Sequence, residues 1–419
     1  MIRSASARTL ALLWLCWAAT MLGYQAFVEA RFAPERPDHA LFWTPNETRV
    51  GSLRDRPYLR EPLLNRHAAW DSEYYLSIAS AGYDDPQMRA IPPSFNWASP
   101  QIAPKRDQPD WITLNYAFFP LYPLAARVLA LPLGLLGLGP LATVALAAML
   151  VSLLGTLGAM LALADLFGDP QDEASGRRAA FYLLIFPAGM FLAQIYTEGF
   201  FLGLSFGALA LARRGRWVWA GLLAAAATWT RASGALLLLP LLWCWWQGGG
   251  FALLRVRPAV GVRRLLLACA PLPAYLLWNA ALGAPFHTVE AGYFGRGLLS
   301  FAPSWYAWSQ AAAALSGDSG PTKAYYLIEF AATGLGLLTC ALLLRRDPAL
   351  ALYGLALILF ALTSGVAQGM HRYVMASPAL FLVPARWGRH ELFDRAWTLL
   401  CLLLMGVYAA MFTFDFWAG

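Results

Sequence analysis

The sequence predicts an all-α polytopic membrane protein, and three observations carry that reading. Of 419 residues, 59% are hydrophobic and 13% charged, whereas soluble domains are nearer half apolar and about a quarter charged. The apolar residues come in runs of about 15 to 28, the length that crosses a bilayer. Inside lipid such a run must satisfy its own backbone groups, which a helix does and an open strand does not. A soluble protein is excluded on the same grounds. The net charge of +7 does not point to nucleic acid, because most arginines form short clusters between apolar runs, as orientation signals do. Cys16, Cys244, Cys269, Cys340 and Cys401 lie in or beside apolar runs without metal spacing and read as small hydrophobes.

The N-terminal run ALLWLCWAATMLGYQAF is too long for a signal-peptide core and lacks a small-residue cleavage site. Residues 9–28 therefore read as the first membrane helix, with Arg3 and Arg8 on the cytoplasmic side. Residues 30–138 form a long first outer loop. It holds a sequon at Asn46-Glu47-Thr48, meaningful only in a eukaryotic host. Residues 118–132 are apolar but interrupted by Pro120, Pro123, Arg127 and Pro132. A span there would put the later arginine clusters on the wrong side, so the segment is expected to lie at the outer interface as an amphipathic helix. Further spans are expected at 139–167, 179–195, 199–212, 217–230, 235–247, 265–283, 323–344, 349–366, 374–385 and 394–414, with a second outer loop at 284–322. The whole chain is then a single membrane domain of about eleven helices, with no internal repeat.

This orientation places five polar motifs on the outer side: Trp70-Asp71, Phe118-Phe119-Pro120, Tyr196-Thr197-Glu198, Thr230-Arg231 and His371-Arg372-Tyr373. Asp71 precedes SEYYLSIASAG, which reads as a short helix closed by Gly82 and lying along the membrane surface on Tyr74, Tyr75, Ile78 and Ala79. The bland reading of Asp71 is a helix N-cap; the functional one is a general base at the mouth of a membrane cavity. Arg231 and Arg372 each begin a helix; they either snorkel or clamp phosphate through their fixed fork of donors. Two such arginines on one face, with Lys323 and His371 nearby, favour an anionic headgroup. Glu198 sits in a tight turn near membrane depth, where an ionisable group suggests function. Asp84-Asp85, between Gly82 and Pro86, reads as a turn rather than a divalent-metal pair, so no cofactor is expected.

The ordered set resembles the PIG-V family, the second mannosyltransferases of GPI-anchor assembly and their bacterial relatives. It comprises Trp70-Asp71-x-x-x-Tyr75-x-x-Ile78-Ala79-x-x-Gly82-Tyr83, Ala117-Phe118-Phe119-Pro120-Leu121-Tyr122-Pro123, Tyr196-Thr197-Glu198, Thr230-Arg231-Ala232-Ser233-Gly234 and His371-Arg372-Tyr373. The resemblance implies a GT-C-type bundle with an outer-face site whose first outer loop carries surface helices and a catalytic acid. It implies a polyprenyl-phosphate sugar donor, with mannose as the family's sugar, and a glycolipid or glycan acceptor. Asp71 would then be the base of an inverting transfer. Glu198 would be a second carboxylate that positions the acceptor or the base. Trp70, Tyr75, Phe119, Tyr196, Arg231, His371, Arg372 and Tyr373 would line the substrate site. The richness in Ala, Leu, Arg and Gly favours a bacterial plasma membrane over the endoplasmic reticulum. Two rival functions stand beside this: a transporter or flippase for a lipid-linked sugar, which should carry polar groups at mid-membrane, and a non-catalytic subunit of a glycosylation complex.

Overall fold

The computed structural model describes residues 4–32, 59, 61–167 and 172–418. Arg3, the sequon at Asn46 and most of the first half of the outer loop lie outside them. The first two long helices are α1 (Ser4–Phe32) and, later in the chain, α5 (Pro140–Leu166). Between them come α2 (Pro62–Asn65), α3 (Ser72–Ala81) and α4 (Leu121–Leu133), with a small antiparallel sheet ordered β2-β1-β3 from β1 (Arg89–Ile91), β2 (Ala103–Pro104) and β3 (Ile112–Thr113). Then follow α6 (Glu173–Ile185), α7 (Glu198–Arg213), α8 (Trp217–Thr230), α9 (Leu238–Gln247), α10 (Gly250–Val256), α11 (Pro258–Ala268), α12 (Pro271–Gly292) and α13 (Phe301–Ala314). The chain closes with α14 (Gly320–Leu344), α15 (Pro348–Leu362), α16 (Met370–Val374), α17 (Ala379–Trp387) and α18 (Glu391–Thr413).

The helices are those of an integral membrane protein. Among the described residues, four are long and apolar enough to cross a membrane, or seven if each of three bent pairs is one span. Several of the expected spans, about eleven in all, are interrupted in the structure. The expected helix 179–195 stops at Ile185 and continues as a 3-10 turn, Pro187–Ala193. The cause is local: Pro187 cannot donate to the helix ladder. The turn then meets α7 at 98°. The expected helix 235–247 likewise starts as a 3-10 turn, Ala232–Leu237, and 374–385 is interrupted between α16 and α17 just before the second helix begins, at Pro378. The expected span 265–283 begins as α11, bends by 46° and runs on as α12 to Gly292. The segment between α12 and α14 is therefore shorter than 284–322 and holds a helix, α13. The expected segments 139–167, 323–344 and 394–414 are continuous helices within a few residues, and 118–132 overlaps all of α4 but its last residue.

Two devices fix the end of the bundle that matters for function. The first is a close helix contact. A Cβ on Gly199 would land on the Ser152 carbonyl oxygen, and one on Gly203 would sit 2.5 Å from the Gly155 oxygen. Small residues thus let α7 and α5 touch backbone to backbone, as membrane helices do where packing replaces the hydrophobic effect. Gly199→Val should force these helices apart at a cost of about 1–3 kcal/mol or more. The thermal midpoint of the purified variant tests this, and an unchanged midpoint would mean that the contact is not tight.

The second device is a buried polar chain. Gln25 Nε2 donates to Thr413 Oγ1 at 3.1 Å, Gln194 Nε2 donates to Gln25 Oε1 at 3.0 Å, and Gln194 Oε1 lies 2.8 Å from His67 Nδ1. It ties α1, α18, the turn before α7 and the segment leading to Trp70. The Ile195 N–H adds a bond to the His67 carbonyl at 3.3 Å.

A four-residue charge ring as candidate active site

The segment before α3 turns sharply. Trp70 has φ +54, a left-handed conformation that is uncommon for a bulky residue. Its ring meets Trp417 edge-on at 5.0 Å. Asp71 follows in the N-cap position but makes no side-chain cap bond, so the bland reading of its carboxyl as a cap does not describe it. Nor does α3 lie on a surface. Ser72 through Ala79 are buried, because Tyr74 stacks on Phe118 at 4.5 Å and Tyr75 meets Phe118, Tyr122 and Tyr196 edge-on. The Tyr196 hydroxyl accepts from the Asp71 N–H at 3.2 Å and donates to the Ala69 carbonyl at 3.3 Å, so it pins the turn from below.

The freed carboxyl of Asp71 points at Arg372, with Oδ2 3.3 Å from Nη2. The same guanidinium donates to Glu198 Oε1 from Nη2 at 2.8 Å and from Nε at 3.1 Å. Arg231 Nη1 reaches that oxygen as well, at 2.8 Å. Asp71, Arg372, Glu198 and Arg231 thus form one chain of alternating charge, drawn from the start of α3, α16, the start of α7 and the end of α8. Glu198 is in the first turn of α7, where the helix dipole favours a carboxylate. The arginine planes are cushioned by rings: Arg372 lies over Phe191 at 4.5 Å and Tyr196 at 4.9 Å, and Arg231 over Tyr373 at 5.4 Å.

Exposure separates the two carboxyls. The Asp71 side chain is 27% exposed and Glu198 only 2%. A substrate can therefore meet Asp71, while Glu198 serves the arginines from inside. Its second oxygen, Oε2, is buried and accepts nothing from the protein. Burial, with Asp71 and Glu198 beside it, pushes the Tyr75 phenol above its ordinary value, so Tyr75 offers the site a neutral hydroxyl.

Of the residues singled out in the sequence, Trp70, Asp71, Tyr75, Tyr196, Glu198, Arg231, Arg372 and Tyr373 come together. Phe119 and His371 do not join them. Phe119 is drawn into an aromatic stack with Trp278 at 4.0 Å and Phe286 at 5.7 Å. His371 is buried, with Nδ1 2.9 Å from Glu329 Oε1 and Nε2 2.9 Å from the Ala418 carbonyl oxygen, and it stacks on Tyr408 at 5.0 Å. Its work is to lock α16 so that Arg372 faces the ring. Asp84 and Asp85 diverge: Asp85 accepts from Ser77 Oγ at 2.6 Å and from the Gln87 N–H at 2.9 Å, while Asp84 accepts from the Tyr116 hydroxyl at 3.1 Å. No group of three metal-ligating side chains occurs among the described residues.

Sequence reasoning missed Arg296, whose guanidinium lies 5.6 Å from the Tyr373 ring centre. One signal was there to be read: it is the sole arginine of the segment 284–322, between Gly295 and Gly297. A cavity of about 500 Å³ lies elsewhere, lined by Arg213, Arg264, Arg346 and Trp217 among others. It sits at the far end of α7, about 22 Å from Glu198 by helical rise, and shares no residue with the charge ring.

Residues 110–287 match the family described as Mannosyltransferase (PIG-V). The matched stretch includes Phe118-Phe119-Pro120, Glu198 and Arg231 and leaves out Asp71 and Arg372. No curated protein matches the chain. Among solved structures, ArnT from Cupriavidus metallidurans bound to undecaprenyl phosphate is similar with a TM-score of 0.47 and 17% identity, over 83% of this chain and 66% of that one. The Archaeoglobus fulgidus oligosaccharyltransferase AglB, in complex with an inhibitory peptide and a dolichol-phosphate, is similar with a TM-score of 0.43 and 14% identity, over 95% of this chain and 55% of that one. The chain thus spans less than two thirds of the length of either.

Proposed function

From a chain whose residues 110–287 carry the PIG-V mannosyltransferase match, we propose a membrane glycosyltransferase that moves a sugar, mannose by the family's habit, from a polyprenyl-phosphate donor to a glycolipid or glycan acceptor on the outer face. The observation that carries this is the charge ring, in which a single carboxyl, Asp71, is open to a substrate and is backed by Arg372.

The chemistry needs little more. The acceptor oxygen attacks the anomeric carbon from the face opposite the phosphate, so the configuration inverts. The carbon–oxygen bond to phosphate breaks, and the phosphate leaves with the electron pair. The hydroxyl proton goes to the Asp71 carboxyl. Phosphate is already a good leaving group, so no acid has to protonate it, but cations must meet the charge that gathers on it. Arg372 and Arg231 supply them, and Glu198 holds both guanidiniums in place before any substrate arrives. Tyr196, Tyr75, Trp70 and Tyr373 shape the space around them. No metal enters the scheme.

The rival reading, a transporter for a lipid-linked sugar, needs cargo-binding groups accessible from both sides. Here the ring gathers where α7 and α16 begin and α8 ends, which is one end of the bundle. The test is to give the purified chain in lipid discs polyprenyl-phosphate mannose with a panel of glycolipid acceptors, and to read release of polyprenyl phosphate. Release that depends on acceptor is expected. Vesicle-to-vesicle-face movement of the lipid-linked sugar without release would replace the enzyme by a flippase.

A further inference from the structure

Two of the three arginines around Tyr373 already have a carboxylate. Arg231 and Arg372 share Glu198. Arg296 differs. Its side chain donates to the Tyr373 hydroxyl, and among the described residues no carboxyl oxygen comes within ion-pair distance of it. Glu290, one turn back on α12, offers Arg296 its backbone carbonyl, which accepts the Arg296 N–H at 2.8 Å. A partly buried guanidinium whose one side-chain hydrogen bond goes to a phenol, and on which the Glu290 and Asp71 carboxyls act only from beyond ion-pair distance, has lost water for no direct counter-charge, an expensive state unless an anion completes it.

The loop that carries Arg296 is built to hold it still. Gly295 (φ +65) and Leu299 (φ +53) take left-handed turns on either side. The Gly297 and Ser300 N–H groups donate to the Ser364 and Thr363 carbonyls at 2.8 Å each. A Cβ on Gly365 would lie 2.6 Å from the Gly295 carbonyl oxygen, so the two turns are in close contact. Phe294 packs edge-on against Tyr74 of α3 at 6.3 Å and against Phe118 at 6.1 Å. The loop is thus docked on the helix that Asp71 begins. The Tyr373 ring is near both Arg231, at 5.4 Å, and Arg296, at 5.6 Å.

We propose that Arg296 is the cation that takes the phosphate of the lipid-linked donor, a role resting on the transferase reading above. Arg231 and Arg372 then flank that phosphate, their charge tempered by Glu198, and Arg296 contributes a charge that no direct ion pair holds. The planar fork of donors fits two phosphate oxygens at once. Tyr373 holds the fork by its hydroxyl until the ligand arrives.

The test uses the full chain in lipid discs with undecaprenyl phosphate as probe, read by native mass spectrometry, with phosphatidic acid and inorganic phosphate as competitors. Wild type should bind undecaprenyl phosphate in preference to phosphatidic acid. Arg296→Ala should bind it roughly ten- to hundredfold more weakly, the worth of a charge-assisted hydrogen bond, at an unchanged thermal midpoint. In transfer assays its KM for donor should rise while KM for acceptor stays. If Arg296→Ala fails to fold, Arg296→Gln, which still reaches the phenol without a charge, is judged by the same numbers. Equal binding by wild type and the variant overturns the role of Arg296 and leaves the transferase standing. Failure of wild type to prefer undecaprenyl phosphate over phosphatidic acid overturns the transferase reading itself. Displacement of the lipid by millimolar inorganic phosphate, in an Arg296-dependent way, would put a free ion there and overturn the donor assignment.

Discussion

Asp71→Asn should leave a folded protein that binds donor and transfers sugar roughly a hundred- to ten-thousandfold more slowly, the usual loss when a general base is removed. The size of the effect follows from what the carboxyl does and does not do in the fold. It makes no cap bond to α3, so the helix does not depend on it. Its hold on Arg372, at 3.3 Å, is the longest link of the ring, and Arg372 keeps two bonds to Glu198 when that link goes. The amide is isosteric and keeps the contact surface, but it takes no proton from an acceptor hydroxyl. Turnover and thermal midpoint measured together decide the matter. A variant with a normal midpoint and normal turnover would remove Asp71 from the reaction, and the base would have to be sought elsewhere.

Arg372→Lys should be nearly as damaging, lowering transfer by roughly a hundredfold or more, as losing a preorganised donor to a developing anion does. Lysine keeps the charge but not the fork. One ammonium on a flexible stem cannot present Nε and Nη2 geometry to Glu198 and still face Asp71. The choice of lysine over alanine matters. Removing the charge altogether would leave Glu198, 2% exposed, with Arg231 alone, and breaking a buried pair costs about 3–5 kcal/mol, enough to confuse misfolding with lost catalysis. Melting curves and single-turnover rates on the lysine variant separate these. Wild-type rates from it would show that charge alone, without bidentate geometry, suffices at this position.

Much of this protein was legible in its sequence. Composition and run length determine a helical membrane protein, because lipid leaves the backbone no other way to satisfy itself. The long uninterrupted segments, 139–167, 323–344 and 394–414, are also fixed locally, since nothing inside them breaks a helix. The ring members Asp71, Glu198, Arg231 and Arg372 could be picked out because an ionisable residue beside a membrane run is costly and needs a reason. What residue type alone could not decide is which of them touch. Asp71 and Arg372 are 301 positions apart, and only the packing of α3 against the turns before α7 and α16 makes them neighbours. The same holds in the negative. Asp71 looked like a cap because Asp before a helix usually is one, and the nearby guanidinium draws it away. Phe119 and His371 looked like site residues because of where they stand in the chain, and the tertiary structure assigns one to an aromatic stack and the other to Glu329. The helix interruptions near Pro187 and Pro378 were visible as prolines, but whether a proline kinks a span or ends it depends on the neighbours that take up the freed carbonyls. Arg296 shows the limit most clearly. As a lone arginine in a connecting segment it carried no motif, and its significance arises when the turns at Gly295 and Leu299 and the 363–365 backbone set it against Tyr373, a ring it shares with an arginine already paired to Glu198.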